Sequence, residues 1–186
     1  MLGTLPPAVS VGFAIHAFRR VGRGAPLPTA GGGVVVDQAA SFTFMVIALA
    51  AAGCVLLLSD YTRRERLAAL EPTALVLLSA TGAMILASAN DFLVLFVGLE
   101  IMSIAVYVLA SAHRRRISSS EAGLKYFLLG SFASAVLLYG VALTYGATGT
   151  LRISGVAEFL AGTVLRDRVL LVGGMGLIVF GLAFKV

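Results

Sequence analysis

Apolar residues along this chain gather in long runs, and most charged residues fall between them. The runs are Ser41 to Leu58, Thr73 to Ala89, Phe92 to Ala112, Gly123 to Tyr145 and Val169 to Val186. An α-helix rises 1.5 Å per residue, so runs of about 20 residues match a hydrocarbon core roughly 30 Å thick. With a shorter run from Ala8 to Phe18, closed by Arg19, Arg20 and Arg23, the pattern predicts an all-α polytopic bundle of about five to six membrane helices.

The connections carry their own signals. Gly22 to Asp37 is rich in Gly and Pro and ends in Val34, Val35 and Val36, which predicts a loop with a short extended segment and Asp37 as a helix N-cap. Asp60 through Arg66 closes the first long run with charges, and Asn90–Asp91 turns the second directly into the third. Ser118 and Glu121 have the spacing of a capping box for the fourth. Gly146 to Arg168 is a longer connection, in which Ala157 to Leu165 reads as a short interfacial helix around Glu158. Small residues let membrane helices approach closely. Ser79, Ala80, Gly82 and Ala83 therefore predict that the second run lies inside the bundle, and Gly130, Ser134 and Gly140 give the fourth a packing face.

Composition strengthens the membrane reading. The 186 residues are 59% hydrophobic and 12% charged, with a mean hydropathy of +1.00, whereas soluble domains run near half apolar and a quarter charged. Fourteen basic residues against nine acidic ones do not point to nucleic acid, because the arginines cluster at the ends of apolar runs, where headgroups and topology account for them. Arg63, Arg64 and Arg66 in one short connection and Arg114, Arg115 and Arg116 in another assign that side to the cytoplasm, with Gly146 to Arg168 opposite. Cys54 is the only cysteine, which excludes an intrachain disulfide and a cysteine-based metal or iron–sulfur site, and His16 and His113 are too few and too far apart for a metal or haem site. The opening residues show no cleavable signal, and Pro6 and Pro7 leave so short a run after them that the first helix is expected to be incomplete.

Three ionisable residues stand in or at the ends of apolar runs: Glu100, Lys125 and Lys185. Glu100 follows Phe92 by eight residues, about 12 Å of helix, too deep for a short side chain to reach water easily. Ser103, Tyr107 and Ser111 follow it at steps of three and four, giving one polar stripe on a greasy helix. A carboxylate and lysines can pass protons through a dry region, because a nearby positive charge favours the carboxylate while burial disfavours both charged forms. Lys125 lies about four residues inside its helix, and from spacing alone it serves equally as a snorkelling surface residue or a proton carrier. Lys185, one residue from the end of the sequence, can also lie at the far interface.

These residues sit in longer stretches: Phe96-Val-Gly-Leu-Glu-Ile-Met-Ser-Ile-Ala-Val-Tyr107, Ser120-Glu-Ala-Gly-Leu-Lys-Tyr-Phe-Leu-Leu-Gly-Ser-Phe-Ala-Ser134, Tyr139-Gly-Val-Ala-Leu-Thr-Tyr-Gly-Ala-Thr-Gly-Thr-Leu151 and Gly181-Leu-Ala-Phe-Lys-Val186. From about Asp37 onward the chain resembles the antiporter-like N, or subunit 2, family of membrane subunits in proton-pumping NADH:quinone oxidoreductase, respiratory complex I. The pattern departs at Ala105, where that family usually has proline. The resemblance implies a longer antiporter-like fold with inverted repeats, of which residues 1–37 would be a partial first helix and loop and residues 38–186 most of the first half-channel. It implies that Glu100 and Lys185 are a carboxylate–lysine couple for proton translocation and that Lys125 is an added proton-path lysine. It also implies that no cofactor binds this chain, with NADH, FMN, iron–sulfur clusters and quinone on other subunits. The expected partners are other membrane subunits of complex I, the lipid bilayer and protons, in a bacterial plasma membrane. A cation/proton antiporter subunit, a ferredoxin- or hydrogenase-linked complex, and a passive structural subunit are the competing readings.

Overall fold

The computed structural model describes residues 27–65, 70–113, 116–162 and 168–185. The expected helix from Ala8 to Phe18 lies outside them. A small hairpin comes first, with β1 (Leu27–Thr29) antiparallel to β2 (Val34–Val36) and a 3-10 turn between them. Gly31 and Gly32 in that turn take φ of 65° and 86°, a left-handed conformation that residues with a Cβ rarely adopt.

Six helices follow. They are α1 (Gln38–Arg64), α2 (Leu70–Ala87), α3 (Phe92–Ala110), α4 (Ile117–Thr148), α5 (Ile153–Gly162) and α6 (Arg168–Lys185). The first four are long and apolar enough to cross a membrane, and α6 is a shorter apolar helix. Asp37 caps α1 by accepting from Ala40 N, and Asp91 caps α3 by accepting from Leu93 N. The capping box expected at Ser118 and Glu121 does not form. Instead Arg116 is the N-cap with no side-chain bond, and the Glu121 carboxylate is engaged by Lys125 one turn later. A charged partner at i+4 outcompetes a backbone amide that water also satisfies. The short helix expected from Ala157 starts at Ile153, four residues earlier. There Arg152 N donates to Thr150 Oγ1, and Arg152 O accepts from Val156 N to open the first turn.

The two ends of the bundle are tied differently. At the hairpin end Val35 N donates to Ser88 O, Asn90 N to Gly33 O, Phe92 N to Leu151 O and Ile153 N to Asn90 O. Asn90 Nδ2 and Arg152 Nη2 add bonds to the carbonyls of Gly32 and Gly31. At the other end, the arginine end, side chains do the tying. His113 Nε2 and Arg116 Nη2 meet Glu65 Oε2 at 3.1 and 3.4 Å, and Ser119 Oγ donates to Ala110 O.

Small residues set the helix contacts. A Cβ added at Gly82 of α2 would fall 2.5 Å from Met102 N of α3, and one at Gly98 of α3 would fall 2.7 Å from Leu86 N. The second run packs tightly by one face but does not lie inside the bundle as expected, because among the described residues nothing covers Leu70 and Leu78, which remain exposed; its small residues serve a single close contact with α3. The core lies on the adjoining face of α3, where Leu99, Leu137, Val141 and Ile178 bring α3, α4 and α6 together and Leu86 of α2 packs against them. Ala105 is buried and α3 continues through it as one helix.

Candidate proton-transfer site

The polar stripe of α3 faces α4 and the end of α6. Glu100 Oε1 accepts from Lys185 Nζ and from Ser134 Oγ, both at 2.5 Å. Lys185 Nζ also lies 3.3 Å from Ser103 Oγ and 6.0 Å from the centre of the Tyr107 ring. Side-chain exposure is only 5% for Lys185 and 21% for Glu100, so each desolvated charge has the other as its main compensation. Removing one partner of such a buried pair typically costs about 3–5 kcal/mol, since the remaining charge is stranded.

Helix register explains how the two residues meet. Counted from their helix starts, Lys185 lies about 25 Å along α6 and Glu100 about 12 Å along α3. α6 runs antiparallel to α4, with Gly174 against Thr144, Ile178 against Gly140 and Gly181 against Leu137. On its other side α4 meets α3 through Ser111 against Gly123 and Glu100 against Ser134. These two registers start α6 about eight residues, roughly 12 Å, outside the first residue of α3 at the hairpin end, which removes the discrepancy with no break in α6.

Tyr107 closes the site toward the arginine end. Its ring stands edge-on to Tyr126, with centroids 4.7 Å apart, and its hydroxyl lies over Gly130, where an added Cβ would fall 2.0 Å from it. A cavity of about 150 Å³ opens here, lined by Ser79, Ser103, Tyr107, Tyr126 and Lys185 among others. Ser111, the last residue of the stripe, bonds to its own helix at Val108 O and packs against Gly123.

Lys125 stands apart from this group. Its side chain is 69% exposed and pairs with Glu121 at 2.5 Å. Ser134 is the partner that sequence reasoning assigned only to helix packing. Its signal was the need of a buried carboxylate for a neutral donor, together with a serine on the small-residue face of the next helix. Cys54 is exposed. Among the described residues, no three of His, Cys, Asp and Glu gather closely enough to hold a metal ion.

Comparison with known proteins shows which family the chain resembles. The pattern of the family described as NADH:quinone oxidoreductase/Mrp antiporter, transmembrane, matches residues 89–186, which include every helix that builds the site. The chain is 44% identical over 154 residues to NADH-quinone oxidoreductase subunit N of Trichlorobacter lovleyi, covering 82% of this chain and 31% of that one. It thus spans about a third of the length of the curated relatives it matches. A chain of respiratory complex I from Thermus thermophilus with bound aureothin superposes with a TM-score of 0.75 at 32% identity, covering 97% of this chain and 36% of that one. A chain of the membrane-bound sulfane sulfur reductase, an archaeal respiratory membrane complex, gives 0.82 at 28% identity, covering 97% and 38%. Four helices long and apolar enough to cross a membrane and a family match over more than half of the sequence lead to one statement: the chain is a multi-pass integral membrane protein and belongs to the NADH:quinone oxidoreductase/Mrp antiporter transmembrane family.

Proposed function

We propose that this chain is part of a proton-translocating membrane subunit of an NADH:quinone oxidoreductase, with NADH, FMN, iron–sulfur clusters and quinone held by other subunits. The observation that carries the reading is the buried Glu100–Lys185 pair. Two groups that can each hold or lose a proton share one hydrogen bond in a region where neither is stable alone, so a change in either one's surroundings redistributes the proton. Quinone reduction elsewhere in the complex supplies that change. Ser103 and Tyr107 line the approach to Lys185. Lys125, beside Glu121 on the exposed face of α4, is an outlying member of the path. The working location is a bacterial inner membrane, with the other membrane subunits of the complex and lipid as neighbours.

The test uses the full-length protein in its complex, reconstituted in proteoliposomes. Glu100→Gln keeps the assembled complex and strongly lowers proton uptake, Glu100→Asp retains part of it, and Lys185→Ala resembles Glu100→Gln. Normal uptake in Glu100→Gln would refute the role. Loss of assembly with normal uptake per assembled complex would favour a purely structural subunit. The likeness to the sulfane sulfur reductase chain supports a second reading, in which the same proton device serves another electron-transfer reaction. Mass spectrometry of the purified complex distinguishes the two by the catalytic subunits it finds.

A further inference from the structure

Ser134 has one hydroxyl hydrogen and two acceptors for it. Its Oγ lies 2.5 Å from Glu100 Oε1 and 2.8 Å from Gly130 O, one turn back on its own helix. A hydroxyl donates once and accepts through two lone pairs. The bland reading is a serine bonded back to its helix, as Ser131 is to Leu128 O and Thr144 is to Gly140 O. Ser134 differs in pointing the same oxygen at a carboxylate on a neighbouring helix, while only 7% exposed.

The two acceptors suit the two protonation states of Glu100. With the carboxylate ionised, the hydroxyl hydrogen goes to Oε1, because a charged acceptor makes a bond roughly twice as strong as a neutral one. With Glu100 protonated, the carboxyl group donates to Ser134 Oγ, and the hydroxyl hydrogen turns to Gly130 O. Only rotation about Cβ–Oγ is required. Lys185 can do this only after giving up its own proton, because an ammonium group donates and never accepts. Its alternatives once Glu100 is neutral are Ser103 Oγ and the face of Tyr107. Gly130 completes the arrangement, since its missing side chain gives Tyr107 the room to close over the same backbone turn.

We propose that Ser134 is a positioning residue that holds the Glu100 carboxyl group in one place in both of its protonation states, so that Glu100 stays within reach of Lys185 as the proton arrives and leaves. The proposal rests on the proton-transfer reading above. Its test compares Ser134→Ala, Ser134→Thr and Glu100→Gln in the full-length protein within its complex. Proton uptake in proteoliposomes is read beside the infrared carboxyl band of Glu100, identified by its loss in Glu100→Gln. Ser134→Ala is expected to lower uptake per assembled complex roughly tenfold, the effect of losing one charge-assisted bond, and to shift the carboxyl band. Ser134→Thr, which keeps the hydroxyl, is expected to retain both. If the added methyl lowers the amount of assembled complex, the alanine result decides alone. An unshifted band in Ser134→Ala, or uptake equal to wild type, overturns the proposal. Normal uptake in Glu100→Gln would instead remove the proton-transfer reading, so the two failures are distinct.

Discussion

Gly140 carries no polar side chain, yet adding one carbon there should disable the ion pair more than a turn and a half away. A Cβ at this position would fall 2.7 Å from Ile178 N and 2.8 Å from Gly174 O, both backbone atoms of α6. Ordinary contact begins near 3.4 Å, so Gly140→Ala requires α6 to retreat by about 0.7 Å, an overpacking strain that typically costs about 1–3 kcal/mol. Lys185 lies seven residues beyond Ile178, about 10 Å farther along the same helix. Carried to that point, the shift lengthens the 2.5 Å contact with Glu100 and takes the 3.3 Å contact with Ser103 out of hydrogen-bond range. Misplacement by an ångström costs a reacting pair up to about 100-fold, and a fall in proton uptake of roughly tenfold is expected here. The assay is uptake in proteoliposomes normalised to assembled complex, with Gly146→Ala, which has nothing within 4 Å, as the control. Because the obstruction is backbone, Ile178→Ala should not rescue it. Wild-type uptake in Gly140→Ala, or rescue by trimming Ile178, would refute the reasoning.

Two further outcomes are expected. Lys125→Ala should fall between wild type and Lys185→Ala in proton uptake, because an exposed i,i+4 pair with Glu121 is worth only about 0.3–0.5 kcal/mol; a loss as deep as that of Lys185→Ala would move Lys125 into the central relay. If the arginine end faces the cytoplasm, a cysteine at exposed Ser154 should react with an impermeant thiol reagent added outside intact cells, and one at exposed Ser118 should not. The reverse pattern would invert the orientation.

The strongest sequence signals concerned single helices. An uncharged run interrupted only by Glu100, with Ser103 and Tyr107 at helical steps, fixes which face of α3 must meet polar partners, because the cost of a lone buried charge leaves no alternative. Asp37 was likewise legible as a cap, since it precedes an apolar run, whereas Asp91, read only as part of a turn, caps α3 as well. Relations between helices were harder to read. The offset of roughly 12 Å between α6 and α3 comes from the contacts each makes with α4, and no count within a single run reveals it. Ser134 looked like one more small residue until that register brought it opposite Glu100. Lys125 and Lys185 were similar as isolated letters near helix ends. What separates them is that α4 turns Lys125 outward beside Glu121, whereas α6 ends against α3.

The unequal ends of the bundle act as a fulcrum. Backbone hydrogen bonds among the hairpin, the α2–α3 turn and the segment after α4 pin one end, while the bonds described between α1 and the α3–α4 connection at the other run through the side chains of Glu65, His113 and Arg116. A rotation of α3 about the pinned end by about 5° would displace Glu100, roughly 12 Å along, by about 1 Å, and the free end by more than twice as much. A push delivered at the arginine end therefore arrives at Glu100 geared down to about the distance that separates a hydrogen bond made from one broken.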